Sequence, residues 1–346
     1  MKRIILLILV ALILAGCTEQ ESIAKEMDIT TEDTTIHEEQ TEVTETENIA
    51  ESTEIVEDVI IIETELSEGI IPTEPPMPYY ELLDMEESGR DIITYGKFEE
   101  EKIEKLENIL DAYIPNISLS VYALNGEKAL IYNGQQEYFS ACTIKIPWML
   151  YLCKGIDEGK YNKDDILTYE ERHYHGGSGT IRYNAYGSKY TVEELINLCL
   201  SISDNVAYEM LVQYVDRNDF YAYIDTLDCP SLHVPSWSIW SSNSVVRDYN
   251  RIWQVVYEYF KTDTEGAKIL KKACTNTKFA YGVKTLVGED YSHKSGDNFG
   301  ANCACNDAGI VWAETPYVYA VFTKSEGTDY DENVINQVMT IIHDMF

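Results

Sequence analysis

The spacing of hydrophobic positions divides the chain into three segments. The first 17 residues contain an uninterrupted apolar run from Ile4 to Leu14. Residues 18–90 are polar and rich in Thr and Glu. From residue 91 onwards, apolar residues recur at helical spacing or alternate with polar ones, as in elements that bury one face. We therefore place one large folded domain at residues 91–346.

The folded segment contains a defined order of predicted elements. Helices are predicted at 99–113, 142–156, 205–215, 217–227, 244–260, 264–274 and 332–346. Strands are predicted at 117–123, 128–132, 283–294, 302–313 and 316–323. Asn125-Gly126 is a strong hairpin signal between the first two strands, and Thr191 with Glu194 has the spacing of a helix capping box.

This order predicts an α/β fold of the α+β sandwich type. A helix and two strands come first, a block of helices follows, and three strands and a helix complete the chain. We expect one antiparallel sheet of about five strands, drawn from both chain ends and flanked by helices. The helices between the two groups of strands would form an inserted subdomain.

The N-terminal apolar run is typical of an export signal. Lys2 and Arg3 precede it, and its 11 residues are too few for a transmembrane helix, which needs about 20. The end of the segment, Leu14-Ala15-Gly16-Cys17, resembles the bacterial lipobox. The resemblance implies cleavage before Cys17 and a lipid anchor on it, whereas in an ordinary signal peptide Cys17 would have no role.

Charge is concentrated in residues 18–90. The chain has 60 acidic and 26 basic side chains, a formal net charge of −34, and residues 18–90 hold 23 and 2 of these. Low hydrophobicity with such a charge favours disorder, so we expect a flexible acidic tether. Because phosphate binding needs Lys and Arg, we expect no nucleic-acid partner.

Three motifs in the folded segment carry candidate chemistry. They are Cys142-Thr143-Ile144-Lys145, Ser203-Asp204-Asn205 and Lys294-Ser295-Gly296. Their order, spacing and predicted elements resemble the S-x-x-K, S-D-N and K-T-G signatures of the penicillin-recognising active-serine hydrolases, with the class A β-lactamases as the closest branch. The resemblance covers essentially all of residues 91–346 and implies the fold of that superfamily.

The resemblance implies a catalytic role for the first two motifs. Position 142 would hold the nucleophile, and Lys145 would lie beside it on the same helix face. Ser203 would relay a proton to the leaving nitrogen of the substrate. Asn205 would bind both Lys145 and the amide side chain of the substrate.

The resemblance assigns substrate binding to the third motif. Lys294 would attract a substrate carboxylate, and the hydroxyl of Ser295 would bind it. Gly296 belongs to the same strand. The backbone N–H groups of Cys142 and Asp297 would form the oxyanion hole.

Position 142 departs from the family pattern because it is Cys instead of Ser. A thiolate is a strong nucleophile, and a helix N-terminus and a cation such as Lys145 both lower the pKa of a thiol. The larger sulfur could instead carry the substrate carbonyl away from an oxyanion hole built for serine. The sequence leaves open whether the protein is a thiol-dependent enzyme, an inactive module that binds cell-wall peptide or a protein partner, or a structural spacer.

The loop at 228–243 is a second departure. Class A enzymes carry E-x-x-x-N after S-D-N, and the Glu activates the water that hydrolyses the acyl-enzyme. Residues 228–243 contain no Glu, so efficient β-lactam hydrolysis is not expected. His233 is a candidate base in the loop, although a lone loop His is commonly just solvated.

Other candidate residues carry weaker signals. His173 and His175 lack the partners of a zinc site, and they either line the cleft or have no specific role. Residues 176–179 (Gly-Gly-Ser-Gly) indicate a turn. His293 would face away from Lys294 on a strand and be structural.

Eight cysteines occur in the chain. Cys153 and Cys199 lie on apolar helix faces, which indicates core positions. Disulfide pairing is left open for four others: Cys229, Cys274, Cys303 and Cys305.

The interpretation we favour is an extracytoplasmic acyl hydrolase or transferase, anchored to the cell membrane through Cys17. Its expected partners are β-lactams or D-Ala-D-Ala-type stem peptides of peptidoglycan, which would form a covalent acyl-enzyme on Cys142. We expect a monomer that uses neither a cofactor nor a metal.

Overall fold

A computed structural model describes most of the predicted folded segment. The described residues are 91–113, 116–235, 238–240, 242–275, 277–283, 286, 289–300, 302–324 and 328–346. The predicted export signal, the tether and the lipidation site Cys17 lie outside them. Within these ranges, no helix combines the length and the apolar character that a membrane crossing requires.

The predicted helices and strands occur in the predicted order, together with five short strands that were not predicted. The helices are α1 (Glu100–Tyr113), α2 (Lys145–Asp157), α3 (Val192–Ser201), α4 (Asn205–Tyr214), α5 (Arg217–Asp225), α6 (Val246–Lys261), α7 (Glu265–Cys274) and α8 (Thr328–His343). The strands are β1 (Ile93–Tyr95), β2 (Ile117–Ala123), β3 (Ala129–Tyr132), β4 (Tyr138–Phe139), β5 (Ile166–Thr168), β6 (Lys189–Thr191), β7 (Asn243–Ser244), β8 (Tyr291–Asn298), β9 (Ala304–Val311) and β10 (Tyr317–Thr323). The predicted capping box of α3 is present, because Thr191 Oγ1 accepts from the Glu194 N–H and the Glu194 carboxylate accepts from the Thr191 N–H.

Among the described residues, the main sheet is antiparallel and has six strands. Its order is β1-β3-β2-β10-β9-β8, so strands from the two chain ends pair at the β2–β10 junction. The predicted antiparallel sheet built from both chain ends is therefore confirmed. The sixth strand, the short edge strand β1, follows no strong alternation and was not predicted.

Two apolar clusters cover the two faces of the sheet. One cluster joins the sheet to the helical subdomain and includes Trp148 of α2, whose ring stacks on that of Phe220 with centroids 3.4 Å apart. The other cluster packs the terminal helices against the sheet, with Leu106 of α1 and Ile335 of α8 fully buried. Because helices cover both faces, every residue of the central strands β2 and β10 is buried.

Strand β8 lies further along the chain than predicted. The expectation was a strand at 283–294, whereas the strand runs from Tyr291 to Asn298. Its interior is polar, and Ser292, His293 and Lys294 are all buried. Hydrogen-bond partners stabilise these buried groups, so hydropathy placed the strand too early and put Lys294 at its end instead of its middle.

The described cysteines are all free thiols. Cys153 and Cys199 are fully buried in the core, as predicted. Cys303 precedes β9, and Cys305 lies inside it. The four cysteines whose pairing was left open form no disulfide among the described residues.

Candidate active site

The turn that carries Cys142 is held by strands on both sides. Residues Ala141–Ile144 form a 3-10 turn that leads directly into α2, and Ala141 has a positive φ of 49°. Before the turn, the Ser140 N–H donates to the Ser242 carbonyl at 2.8 Å, and Asn306 Nδ2 donates to the Phe139 carbonyl at 2.9 Å. Cys142 is thereby fixed, half-buried, at the N-terminal end of the helical segment.

Lys145 is fully buried next to Cys142, and its ammonium group is surrounded by oxygen acceptors and aromatic rings. Its Nζ donates to Asn205 Oδ1 at 2.7 Å and to the Ser203 carbonyl at 2.8 Å, and it lies 3.2 Å from Ser203 Oγ. The ammonium group also lies 5.7 Å from the ring centre of Tyr208 and 5.6 Å from that of Trp240. This arrangement brings the first two motifs together.

Ser203 and Asn205 are positioned by the buried carboxylate of Asp204. One oxygen of Asp204 accepts from the Val206 and Ala207 N–H groups and caps α4. The other accepts from the N–H groups of residues 180 and 181. Ser203 itself has a positive φ of 55°, a conformation that costs energy for a residue with a side chain. The network around Asp204 holds that conformation.

The glycine-rich turn at 176–179 packs against this motif. Asn205 Nδ2 donates to the Gly176 carbonyl at 2.7 Å, and a side chain on Gly177 would come within 2.7 Å of the same nitrogen. Gly179 has a φ of 104° and lies directly against Asp204. The sequence indicated only a turn at 176–179. The structure shows that this turn contacts the motif Ser203-Asp204-Asn205.

Strand β8 approaches the turn that carries Cys142 through Gly296. A Cβ on Gly296 would lie 2.6 Å from the Cys142 backbone nitrogen and 2.8 Å from that of Thr143. On the same strand, Lys294 Nζ donates to the Ser295 carbonyl at 2.6 Å, and Ser295 Oγ donates to the Phe279 carbonyl at 2.8 Å. All three motifs therefore meet at Cys142.

Charge around Cys142 favours its thiolate. Burial raises the pKa of the thiol, but the Lys145 and Lys294 ammonium groups and a hydrogen bond with Ser203 outweigh this effect, so the pKa lies below 9.0. Asp297 opposes that lowering. Burial lowers the pKa of Lys294 from 10.5 to about 8, against the attraction of the Cys142 thiolate. Asn205 Oδ1 lies 4.0 Å from the Cys142 sulfur and accepts from Lys145 Nζ at 2.7 Å.

The loop at 228–243 contributes an aromatic ring to the site. Trp240, beside Lys145, stacks on the His175 ring with centroids 4.1 Å apart, and its Nε1 donates to Glu209 Oε1 at 2.6 Å. His175 therefore lies at the site, one of the two alternatives that the sequence left open. Nothing in the sequence pattern singled out Trp240 or Glu209.

The remaining candidate histidines lie elsewhere. His233 is exposed and lines a cavity of about 290 Å³ with Tyr221 and Ile224, away from the motif residues. His173 is buried, and its Nδ1 accepts from the Glu170 N–H at 3.0 Å. His293 is buried between Asp307 at 2.7 Å and Thr277 at 2.6 Å, in agreement with a structural role. Over the described residues, no three His, Cys, Asp or Glu side chains come together as a metal site would need.

Comparison with known proteins gives a family match over most of the folded segment. The sequence model of a family described as "Beta-lactamase enzyme family" matches residues 101–346. A search of curated proteins gave no match.

Solved structures of similar fold are numerous. A β-lactamase from Sphaerobacter thermophilus has a TM-score of 0.63 and 20% identity, with 69% of this chain and 95% of that chain covered. A class A β-lactamase representative from Bacteroides cellulosilyticus has a TM-score of 0.63 and 19% identity, covering 72% and 98%. A PBP-A variant, solved as an acyl-enzyme complex with penicillin G, has a TM-score of 0.60 and 20% identity, covering 70% and 97%.

Proposed function

The chain belongs to the β-lactamase enzyme family, and from this membership we propose that it is an acyl-transfer enzyme whose nucleophile is the Cys142 thiolate. Its substrates would be β-lactams or D-Ala-D-Ala-type cell-wall peptides. The observation that carries the proposal is the position of the Cys142 sulfur. It lies at a helix N-terminus, next to two buried ammonium groups that lower its pKa.

Acylation would use the residues that surround the sulfur. The thiolate attacks the substrate carbonyl carbon, and the oxyanion is stabilised by the N–H groups of Cys142 and Asp297. The C–N bond then breaks, and the leaving nitrogen takes the hydroxyl proton of Ser203. Ser203 recovers a proton from the Lys145 ammonium, 3.2 Å away. The products are a thioester on Cys142, a protonated leaving group and a neutral Lys145.

Deacylation would return that proton. Water gives a proton to the neutral Lys145 and adds to the thioester carbon, and the Cys142 thiolate leaves as the carboxylic acid is released. The loop at 228–243 supplies no Glu to assist this step, and its Trp240 occupies space beside Lys145. A thioester is intrinsically more reactive towards water and amines than an oxygen ester, which partly compensates. We expect slow hydrolysis and efficient transfer to an amine.

The protein would work on the outer face of the cell membrane. The lipobox-like end of residues 1–17 supports a lipid anchor at Cys17. Residues 18–90 would then be a tether whose root-mean-square span is roughly 45–50 Å, extended further by its own negative charge. Such a tether allows the domain to reach into the cell wall.

A second candidate function is a non-catalytic module that binds cell-wall peptide. It is favoured by two features of the same site, the replacement of Ser by Cys at position 142 and the absence of Glu from residues 228–243. In such a module the motif residues would bind a peptide without forming a covalent bond.

Intact-mass measurement separates the two functions. The protein, Cys142→Ala and Cys142→Ser are each incubated with penicillin G. The enzyme hypothesis predicts an adduct on the native protein and none on Cys142→Ala. A native protein that stays unmodified while Cys142→Ser forms an adduct would support the binding module. Failure of both to react would contradict acyl transfer from β-lactams.

A further inference from the structure

The substrate-facing strand β8 carries a negative charge where the family resemblance expects a carboxylate to bind. Ser295 and Asp297 are two residues apart on this strand, so their side chains point to the same side of it. The Lys294 side chain and the open face of Gly296, where a Cβ would stand, lie on the other side, towards Cys142. Asp297 thus shares the face of the strand that Ser295 would use to bind a carboxylate.

The two expected carboxylate ligands are already engaged. Ser295 has one hydroxyl proton, and Oγ donates it to the Phe279 carbonyl at 2.8 Å. Lys294 is 2% exposed, and its Nζ donates to the Ser295 carbonyl at 2.6 Å. A substrate carboxylate would have to take the Ser295 proton from the Phe279 carbonyl, whereas the Lys294 ammonium keeps two N–H donors but is almost fully buried.

The carboxylate of Asp297 is held by a tyrosine, and no salt bridge joins it to a cation within the described part of the chain. Tyr281 OH donates to Asp297 Oδ1 at 2.9 Å, and the charge of Asp297 adds to burial in raising the pKa of Tyr281. Asp307, Asp297 and Glu332 together add to burial in raising the pKa of Cys305, on the neighbouring strand β9. Asp307 accepts a hydrogen bond from His293 Nδ1 at 2.7 Å. The surroundings of β8 are therefore acidic on this side.

We infer that Asp297 makes this end of the cleft select substrates in which the group beside the scissile amide is neutral or cationic. An amidated or amine-bearing peptide, or a β-lactam ester, is then a better acyl donor than the corresponding free carboxylate. The inference rests on the proposed function, because it names the substrate class of the same site. Asp297 is a specificity-determining residue through its side chain, and its backbone N–H keeps its place in the oxyanion hole.

Lys278 is a further cation close to Phe279, before strand β8. Lys278 is exposed, and its ammonium lies 5.3 Å from the centre of the Phe279 ring. If Lys278 bound the carboxylate, Lys278→Met would slow the free acid selectively. We expect Lys278→Met to leave the preference for the neutral substrate in place.

The charge preference is first measured without any β-lactam. An anionic and a cationic methanethiosulfonate reagent each transfer an alkylthio group to a free thiolate, which forms a mixed disulfide and releases methanesulfinate, so their rate ratio at Cys142 reports local charge. In the full chain, Asp297→Asn should raise the anion-to-cation ratio at least about fivefold, because one unit charge at a few ångströms is worth about 1 kcal/mol even in water. Asp290→Asn, which removes an exposed acid before β8, should leave the ratio unchanged.

The substrate preference is measured with penicillin G and its methyl ester. Wild type should be acylated faster by the ester, and Asp297→Asn should raise the acid-to-ester rate ratio about fivefold. A wild-type preference for the free acid would overturn the inference, as would a ratio that Asp297→Asn does not move in either assay. A shifted reagent ratio without any penicillin adduct would support the charge selection and contradict the proposed acylation by β-lactams.

Discussion

The close contact of Gly296 with the turn that carries Cys142 leads to a quantitative prediction for Gly296→Ala. The new Cβ would lie 2.6 Å from the Cys142 nitrogen, and an ordinary contact needs at least 3.4 Å, so β8 would have to retreat by about 0.8 Å. This movement separates the two N–H groups that would form the oxyanion hole, those of Cys142 and Asp297. A misplacement near 1 Å costs about 10²-fold in rate. Gly296→Ala should therefore slow acylation by penicillin G about 100-fold.

The assay for Gly296→Ala combines acylation kinetics followed by intact mass with denaturant unfolding. Overpacking should also cost about 1–3 kcal/mol of stability, so a control must share that cost. Gly266→Ala provides it, because a Cβ there would clash with the Cys153 carbonyl and lies outside the three motifs. Gly266→Ala should lose stability and keep its acylation rate. A folded Gly296→Ala that reacts as fast as wild type would refute the reasoning, and so would equal rate losses in both variants.

Three further predictions follow from the buried charges of the site. Lys294→Met, made in a Cys142→Ala background, should remove a rise in stability that begins below about pH 8, since the Cys142 thiolate that raises the Lys294 pKa is absent, and ends near pH 10.5. Thermal unfolding on both sides of that window would detect the rise. The rise is expected because burial lowers the Lys294 pKa from 10.5 to about 8, so the unfolded chain binds the extra proton in that window; a rise that survives the substitution would show another origin. Alkylation of Cys142 by iodoacetamide should reach half its maximal rate below pH 9.0, because Lys145, Lys294 and Ser203 outweigh burial in setting the thiol pKa. Lys294→Met should move that midpoint upward, and peptide mass spectrometry can measure both midpoints. Asp204→Ala should lower the free energy of unfolding by more than about 3 kcal/mol in denaturant titrations. The substitution leaves four backbone N–H groups without their acceptor, at about 1–3 kcal/mol each. A loss below about 1 kcal/mol would contradict the role of Asp204 in holding the Ser203 and Asn205 backbone.

Sequence reasoning succeeded where the signal was local or repeated along the chain. The antiparallel sheet from both chain ends could be predicted because its central strands are short apolar runs separated by a helical block. The meeting of Lys145 with Ser203 and Asn205 could be anticipated from motif order, because the superfamily resemblance supplied a fold in which these motifs are adjacent.

Other features depend on contacts that no local pattern reveals. Strand β8 was placed too early because its buried interior is polar, and the hydrogen bond of His293 with Asp307 that stabilises it joins two separate strands. Trp240 stacks on His175 across 65 residues of sequence, so neither residue indicates the other. From the sequence, Asp297 has only a backbone role. The effect of its side-chain charge on carboxylate binding becomes evident in the structure, where the Ser295 hydroxyl donates to the Phe279 carbonyl.

The central claim, that Cys142 is the nucleophile, is tested most directly by locating the acyl group. The protein is incubated with penicillin G and digested, and the modified peptide is sequenced by tandem mass spectrometry. We predict a single thioester on the sulfur of Cys142 and no modified peptide from Cys142→Ala. An adduct on another side chain, such as the hydroxyl of Ser203, or a native protein that remains unmodified, would contradict the claim.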